Sequence, residues 1–406
     1  MSNTIEVIGS IMGSGKTTAL LNWMLQNSHE RFIYVTPLLS EIQNRVLEHC
    51  AAIGMVELSD SGTRKSEDLL NKLQEGANIA ITHKMYQEMN RKHLNYIREL
   101  GYILVIDEEV GFVNTLENYT FDDIISLFDR DMFDVDYNNL GKVKFTWEIG
   151  EYHKFSKLKN LCDIGCVYGC RNQKEVFVVQ LPVELITSAK RVILSTYGYY
   201  GSAMHKFMQM RGVQHKDFDE VTLMYSEREI KEKIKGLIQF VSTPSTVKVE
   251  EYPLSYSWWS STKAQDIEKK KSVFKAIASI QKTNKVKSEE FMYTTSKAQS
   301  LKRNIRGSAL SHDKCFVYSS CRATNEFRHK KFLVHAYNRY PNVQVKKYFL
   351  SYGFDFNEDH LATHEMIQWI WRSAIRDQQP IKLCIIPKRM RMLFQKWLDE
   401  ACENTP

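Results

Sequence analysis

The run Ser10-Ile11-Met12-Gly13-Ser14-Gly15-Lys16-Thr17 sits between an apolar stretch, Ile5-Glu6-Val7-Ile8, and an amphipathic one, Thr18-Ala19-Leu20-Leu21-Asn22-Trp23-Met24-Leu25. That order reads as strand, loop, helix. Glycines in such a loop let backbone N–H groups turn inward around phosphate oxygens, and the helix N-terminus adds partial positive charge. Lys16 then reaches the β- and γ-phosphates and Thr17 offers a hydroxyl to Mg²⁺. Gly13, Ser14, Gly15, Lys16, Thr17 and Thr18 are therefore the expected nucleotide-binding residues, with ATP and Mg²⁺ as the expected ligands. In the pattern G-x-x-x-x-G-K-[ST] the first position is Ser10, because Gly9 falls one residue too early. A glycine-rich turn without a ligand is the alternative, and the flanking strand and helix argue against it.

The chain has 406 residues, 43% of them hydrophobic, enough for sizeable cores in two or three domains. No apolar run approaches the ~18 residues that span a bilayer, and no secretory signal pattern opens the sequence. A cytoplasmic protein without membrane contact is the expectation. The formal charge of +7 is unevenly placed: residues 1–110 carry 10 Lys/Arg against 14 Asp/Glu, and residues 301–406 carry 18 against 10. A basic C-terminal part suits phosphate-backbone contacts, and a solvated basic face accounts for it equally well. Of eight cysteines, Cys162, Cys166 and Cys170 form a C-x₃-C-x₃-C run with His153 nearby. Three thiolates could serve zinc or an iron–sulfur cluster. Metal sites favour paired short spacings, however, and Gly165 and Gly169 interrupt any helix that would align the thiols, so no metal is expected here.

Short β-type runs alternate with helical patterns in both halves, the signature of α/β domains on parallel sheets. One series comprises Ile5–Ile8, Phe32–Thr36, Ile79–Thr82, Tyr102–Ile106 and Arg191–Ser195. A second comprises Gly236–Val241, Phe291–Thr294, Cys315–Ser319, Phe332–His335 and Ile381–Ile386. The Asp-, Asn- and aromatic-rich stretch 111–185 fits neither and reads as an insertion. The expected organisation is a first lobe over 1–200 carrying that insertion, a linker over 201–235 and a second lobe over 236–406.

Tyr102-Ile103-Leu104-Val105-Ile106-Asp107-Glu108-Glu109 is an apolar strand ending in adjacent carboxylates, about ninety residues beyond the loop. An acid at the carboxyl end of a parallel strand lies where Mg²⁺ sits, and a second beside it can take a proton from an attacking water. Asp107 is the expected metal-side carboxylate and Glu108 the general base. Near the C-terminus Gln368, Arg372 and Arg376 fall at i, i+4 and i+8, one face of a helix over Leu361–Arg376. Such a row can stabilise a γ-phosphate in its transition state; an exposed charged stripe is the alternative.

Together these stretches resemble the ordered motifs of superfamily 2 helicases, over nearly the whole chain, and in particular the small helicase-like proteins of tailed bacteriophages. Motif I matches Ser10–Thr17, Ia Thr36–Gln43, Ib Ile81-Thr82-His83, II Asp107-Glu108-Glu109-Val110 and III Ser195-Thr196. Motif IV matches Tyr293-Thr294-Thr295, V Arg322-Ala323-Thr324-Asn325-Glu326 and VI Gln368–Arg376, where Trp371 replaces the motif's glycine. The resemblance implies two RecA-like lobes, ATP hydrolysis with Glu108, Gln368, Arg372 and Arg376 as catalytic residues, and phosphate-backbone contacts at Thr36, Thr82, His83, Thr294, Thr324 and Asn325. For the threonines, capping of the next helix is the competing use. Implied partners are nucleic acid, single-stranded or branched DNA before RNA, and phage replication proteins. Two rival functions are a nucleotide-switch loader that does not unwind and a thymidine-kinase-like phosphotransferase.

Overall fold

The computed structural model describes residues 4–59, 64–151, 153–243, 248–320 and 326–400. Thr324 and Asn325 lie outside the described residues. The first four strands are β1 (Thr4–Ile8), β2 (Phe32–Thr36), β3 (Ile79–Thr82) and β4 (Ile103–Asp107). A second group follows: β5 (Val113–Thr115), β6 (Phe133–Asp136), β7 (Lys142–Phe145), β8 (Val167–Gly169) and β9 (Phe177–Gln180). The chain then returns to the first sheet with β10 (Arg191–Ser195) and β11 (Gln214–Asp217). The last strands are β12 (Ile238–Phe240), β13 (Phe291–Thr294), β14 (Phe332–His335) and β15 (Ile381–Ile385).

Two compact units result. The first holds the N-terminal strand, Thr17–Val221 and Pro341–Asn357; the second holds Ser10–Lys16, Thr222–Tyr340 and the chain from Glu358 onward. In the first unit a six-stranded parallel sheet has the order β11-β1-β10-β4-β2-β3. Parallel strands need crossovers, and helices such as Lys16–Gln26, Lys65–Gln74, Arg91–Glu99 and Ala203–Met210 supply them. Burial on both faces explains why the central strands are near-continuous apolar runs. Alternation sends Ile33, Val35, Leu104, Ile106, Val192 and Leu194 into one large core. Phe32, Tyr34, Asp107 and Ser195 alternate to the opposite face, where Trp23 of helix Lys16–Gln26 meets Phe32 edge-on at 5.8 Å.

On that face Glu6, 7% exposed, is bonded by the Arg191 guanidinium, which also bonds Glu220. The guanidinium lies 5.3 Å from the rings of both Trp23 and Phe218. Lys216 lies 3.4 Å from the Glu6 carboxylate, so Glu6 has two cationic partners on this face.

Residues 111–185, the expected insertion, form an antiparallel sheet of order β5-β9-β8-β7-β6. Strands β6, β7 and β9 and helix Ser156–Asp163 pack a core of their own around Phe133, Phe145, Leu158 and Phe177. Strands β5, β9 and β8 share the main core of the unit through Val113, Val178 and Tyr168. Helix Val343–Ser351, which the sequence reading assigned to the second lobe, packs here instead: Val345, Tyr348 and Phe349 join the same core. Tyr348 donates to the Leu140 carbonyl at 2.8 Å, and Tyr352 to that of Gly169 at 3.0 Å. Tyr348 and Phe349, both 0% exposed, would be costly to leave in solvent, and this face is what covers them.

The stretch 201–235 is more than a linker. It supplies helix Ala203–Met210 and the edge strand β11, whose Gln-His-Lys-Asp composition hides a strand because an edge tolerates polar side chains on both faces. In the second unit β12-β15-β14-β13 form a parallel sheet over a core that includes Trp259, Phe274, Tyr293 and Ile386. Cys315–Ser319, expected as a strand, contributes only a single bridge between Phe316 and Tyr293. No helix among the described residues is long and apolar enough to cross a membrane.

Burial holds His335 down to about 3 and His360 and His364 down to about 4. All three are neutral in the fold at pH 5 and protonated in the unfolded chain below about 6.5. The unfolded state then binds more protons, so stability should fall as pH drops from about 6.5 towards 4. Replacing His360 and His364 by Gln should flatten the dependence of unfolding free energy on pH in that window by about two protons; an unchanged slope would contradict their neutral burial.

Candidate functional site

Gly13 and Gly15 adopt φ of +82° and +92°, the left-handed region in which a side chain is strained. They turn the loop so that Ser14 N–H meets the Ile11 carbonyl at 3.4 Å. Lys16 folds back into this loop, its Nζ donating to the carbonyls of Ser10 and, at 3.0 Å, Ile11. The Ser14 hydroxyl is buried without a hydrogen-bond partner, and a buried orphan of this kind calls for a ligand or a water. The indole of Trp371 packs directly on Gly13, where a Cβ would overlap it. Trp371, the residue in place of the motif's glycine, thus adds to the left-handed backbone in requiring a glycine at position 13.

One residue beyond Lys16 the chain enters the first unit. Thr17 Oγ1 donates to Asp107 Oδ2 at 3.1 Å, which joins the start of the first helix to the carboxyl end of β4. Tyr34 Oη donates to the same oxygen at 2.9 Å. Asp107 is 9% exposed, so these donors stand in for water around its charge. Burial, with the Asp107 carboxylate next, pushes the Tyr34 phenol well above the usual tyrosine range, so it remains a donor. Glu108 has φ +68° and is held there by its N–H on the Ser195 carbonyl at 2.8 Å and by Thr196 Oγ1 on its Oε2 at 3.4 Å. Glu109 turns away and accepts the Met204 N–H at 2.8 Å, capping helix Ala203–Met210. Thr18 accepts from Arg45 at 2.8 Å, so its hydroxyl braces the helix that follows β2.

Of the residues singled out for nucleic-acid contact, Thr36 and Thr82 are register partners at the carboxyl ends of β2 and β3, His83 follows Thr82, and Thr294 ends β13 in the second unit. Thr82 Oγ1 accepts the Met85 N–H at 3.4 Å and caps the next helix, the competing use anticipated for it. His83 Nε2 bonds the Asp107 main-chain carbonyl at 3.0 Å and so supports the acidic strand end. Thr36 and Thr294 are buried, 1% and 0% exposed, with no hydrogen-bond partner for either hydroxyl.

In the second unit the expected single helical face is broken. Helix Glu358–Trp371 ends before Arg372, and a separate 3₁₀ turn, Ala374–Asp377, carries Arg376. Ser373 makes the break: its hydroxyl donates to Ile370 O at 2.7 Å and accepts from Ile375 N–H at 3.4 Å, while Ala374 N–H goes to Lys330 O at 2.9 Å. Gln368 and Arg372 are buried and Arg376 is half-buried, so the three do not form an exposed stripe. Trp369 anchors the helix through Nε1 on the Val317 carbonyl at 3.0 Å and an edge contact with His335.

Cys162 and Cys166 lie buried in the antiparallel region, and burial pushes Cys162 up to about 12 and Cys166 upward. The Cys170 thiol donates to the Lys347 carbonyl at 3.6 Å. Among the described residues no group of three or more His, Cys, Asp or Glu side chains is arranged to hold a metal ion.

Comparisons with known proteins bear on this geometry. Residues 232–398 match the family described as the YonV C-terminal Rossmann-like domain. The whole chain is similar to the SPbeta prophage-derived uncharacterized protein YonV of Bacillus subtilis (strain 168), 29% identical over 418 residues, 97% of this chain and 98% of that protein. Among solved structures, apo XPD aligns over 97% of this chain and 95% of its own at 14% identity and a TM-score of 0.52. S. tokodaii Xpd4 aligns over 97% and 94% at 11% identity and 0.49. The fold is that of tandem RecA-like α/β lobes. Identities this low speak for the fold alone.

Replacing Gly13 by Ala should be disruptive beyond the local loop, since the added methyl meets both the left-handed backbone and Trp371. Nucleotide binding by Gly13→Ala, measured with a fluorescent ATP analogue, should weaken at least about 10-fold, and Gly13→Ala combined with Trp371→Gly should recover part of that loss.

Proposed function

We propose that the chain is an ATP-dependent nucleic-acid helicase or translocase acting on DNA in a phage setting. The observation that carries this reading is the bond from Thr17 to Asp107, which sets the hydroxyl following the glycine loop against an acid at the carboxyl end of a parallel strand. The residues fit a magnesium nucleotide: an orphaned Ser14 hydroxyl and main-chain N–H groups in the loop, a lysine, a threonine hydroxyl and a carboxylate. Bound Mg²⁺ would neutralise phosphate charge.

On this reading Lys16 exchanges the loop carbonyls for the β- and γ-phosphates. Glu108, set apart from Asp107 by its left-handed backbone, takes the proton of the attacking water. Thr196 orients its carboxylate. Gln368, Arg372 and Arg376 of the second unit act on the charge that spreads over the transferred phosphoryl group. Nucleic acid is gripped at the carboxyl ends of β2, β3 and β13 through main-chain N–H groups rather than the buried Thr36 and Thr294 hydroxyls, and Thr324 and Asn325 add to that grip. A relative of prophage origin supports the phage setting. A small phosphotransferase would account for the first sheet and leave β12–β15 without a role.

ATPase rates with and without single-stranded DNA, single-stranded RNA and duplex test the reading, together with strand displacement. Stimulation by single strands with displacement is expected. Absence of hydrolysis under all conditions overturns it, and stimulated hydrolysis without displacement or movement along a strand assigns the chain to switch loaders instead. Lys16→Ala should weaken ATP binding and hydrolysis together, whereas Glu108→Gln should bind ATP and hydrolyse it poorly. Arg372→Ala and Arg376→Ala should each lower the stimulated rate by about 10²-fold with ATP affinity nearly intact.

A further inference from the structure

We infer that Tyr34 is a positioning residue for the carboxylate that faces Mg²⁺, holding Asp107 in one orientation from the neighbouring strand. This inference rests on the proposed magnesium-nucleotide site. Tyr34 lies in β2 opposite Val105 of β4, two residues before Asp107 on the same sheet face, so a phenol's length spans the gap to the carboxylate. It is 0% exposed in a strand otherwise made of Phe, Ile, Val and Thr. A hydroxyl buried there needs a partner, and phenylalanine would fill the same space without one. Among other buried tyrosines of this unit, Tyr86 and Tyr102 give their hydroxyls to main-chain carbonyls, to Leu185 at 2.8 Å and Ala77 at 2.9 Å, and the Tyr199 hydroxyl has no hydrogen-bond partner. Tyr34 gives its own to the functional acid.

Two donors converge on one oxygen, Asp107 Oδ2, from Thr17 at 3.1 Å and Tyr34 at 2.9 Å. The terminal torsion of an aspartate is soft, and such donors fix it. The Thr17 hydroxyl is engaged by the magnesium nucleotide in the proposed function, so it serves two partners. Tyr34, wholly buried, has no access to the nucleotide and serves only the acid. His83 steadies the same residue from its main-chain side, at 3.0 Å on the Asp107 carbonyl. Partners behind a metal ligand typically matter by about 10–100-fold in metal affinity or activity.

The test measures binding of a fluorescent ATP analogue to the full chain as a function of Mg²⁺ concentration, with EDTA as the metal-free reference. In Tyr34→Phe the Mg²⁺ concentration for half-maximal binding should rise about 10-fold, with metal-free nucleotide affinity unchanged. In an Asp107→Asn background Tyr34→Phe should cause no further change, because its effect passes through that carboxylate. An unchanged Mg²⁺ response in Tyr34→Phe, or an equal additional loss in the Asp107→Asn background, overturns the inference. If Tyr34→Phe does not fold, Tyr34→Leu, which also lacks a donor, replaces it, and a Mg²⁺ response equal to the parent's overturns the inference in the same way. Failure of the parent protein to bind the nucleotide in a Mg²⁺-dependent manner would instead overturn the site on which the inference rests.

Discussion

The hydrogen bonds converging on Asp107 Oδ2 tie together three separate parts of the first unit: the start of helix Lys16–Gln26, strand β2 and strand β4. Their geometry exists only because β4 and β2 run parallel and in register, Val35 opposite Ile106, so that side chains two positions apart meet on one face. The β10 strand on the other side of β4 contributes in the same manner, with the Ser195 carbonyl fixing the Glu108 N–H. A buried carboxylate is costly unless it is satisfied. The sheet therefore concentrates its polar groups at one end and leaves the rest of its central strands apolar.

That division sets what each layer contributes. Ile33, Val35, Leu104, Ile106, Val192 and Leu194 form the packed face, stabilising the sheet through area removed from water. Glu6, Arg191 and Glu220 close the opposite, amino-terminal end of the sheet with a charged cluster shielded by Trp23 and Phe218. Each end thus carries polar groups for a different reason: charge compensation at Arg191, and the arrangement around Asp107 at the other. Glu109 shows how finely the acidic run is divided, since it spends its charge on a helix N-terminus while its two predecessors point to the carboxyl-end site.

The antiparallel sheet over 111–185 and the helix Val343–Ser351 are mutually dependent. Tyr348, Phe349 and Val345 are buried among residues of the first unit, and the main-chain carbonyls of Leu140 and Gly169 receive the two tyrosine hydroxyls. The cysteines of this region are buried, and Cys162 and Cys166 are held as neutral thiols by the apolar surroundings. A change in this helix, far along the chain, therefore bears on the lobe that carries Asp107.

Sequence alone determined the glycine loop, the acidic strand end and most parallel strands, because each depends on a local signal: positive-φ glycines, a terminal carboxylate, a continuous apolar run. Phe32–Thr36, Ile79–Thr82, Arg191–Ser195, Phe291–Thr294 and Phe332–His335 have the same limits in the sequence reading and in the fold. Only the tertiary structure decided the rest. The edge strand Gln214–Asp217 lacks apolar residues, so its pairing with β1 is invisible to periodicity. The row Gln368, Arg372 and Arg376 looked like one helical face, but a serine hydroxyl and a carbonyl from Lys330 ended the helix at Trp371. Val343–Ser351 has an ordinary amphipathic pattern that names no partner, and its burial depends on which surface the chain brings to it. Tyr34 reads as one more strand aromatic until β4 is set beside it. Hydrogen-bond partners across strands are fixed by register, and register is a property of the assembled sheet.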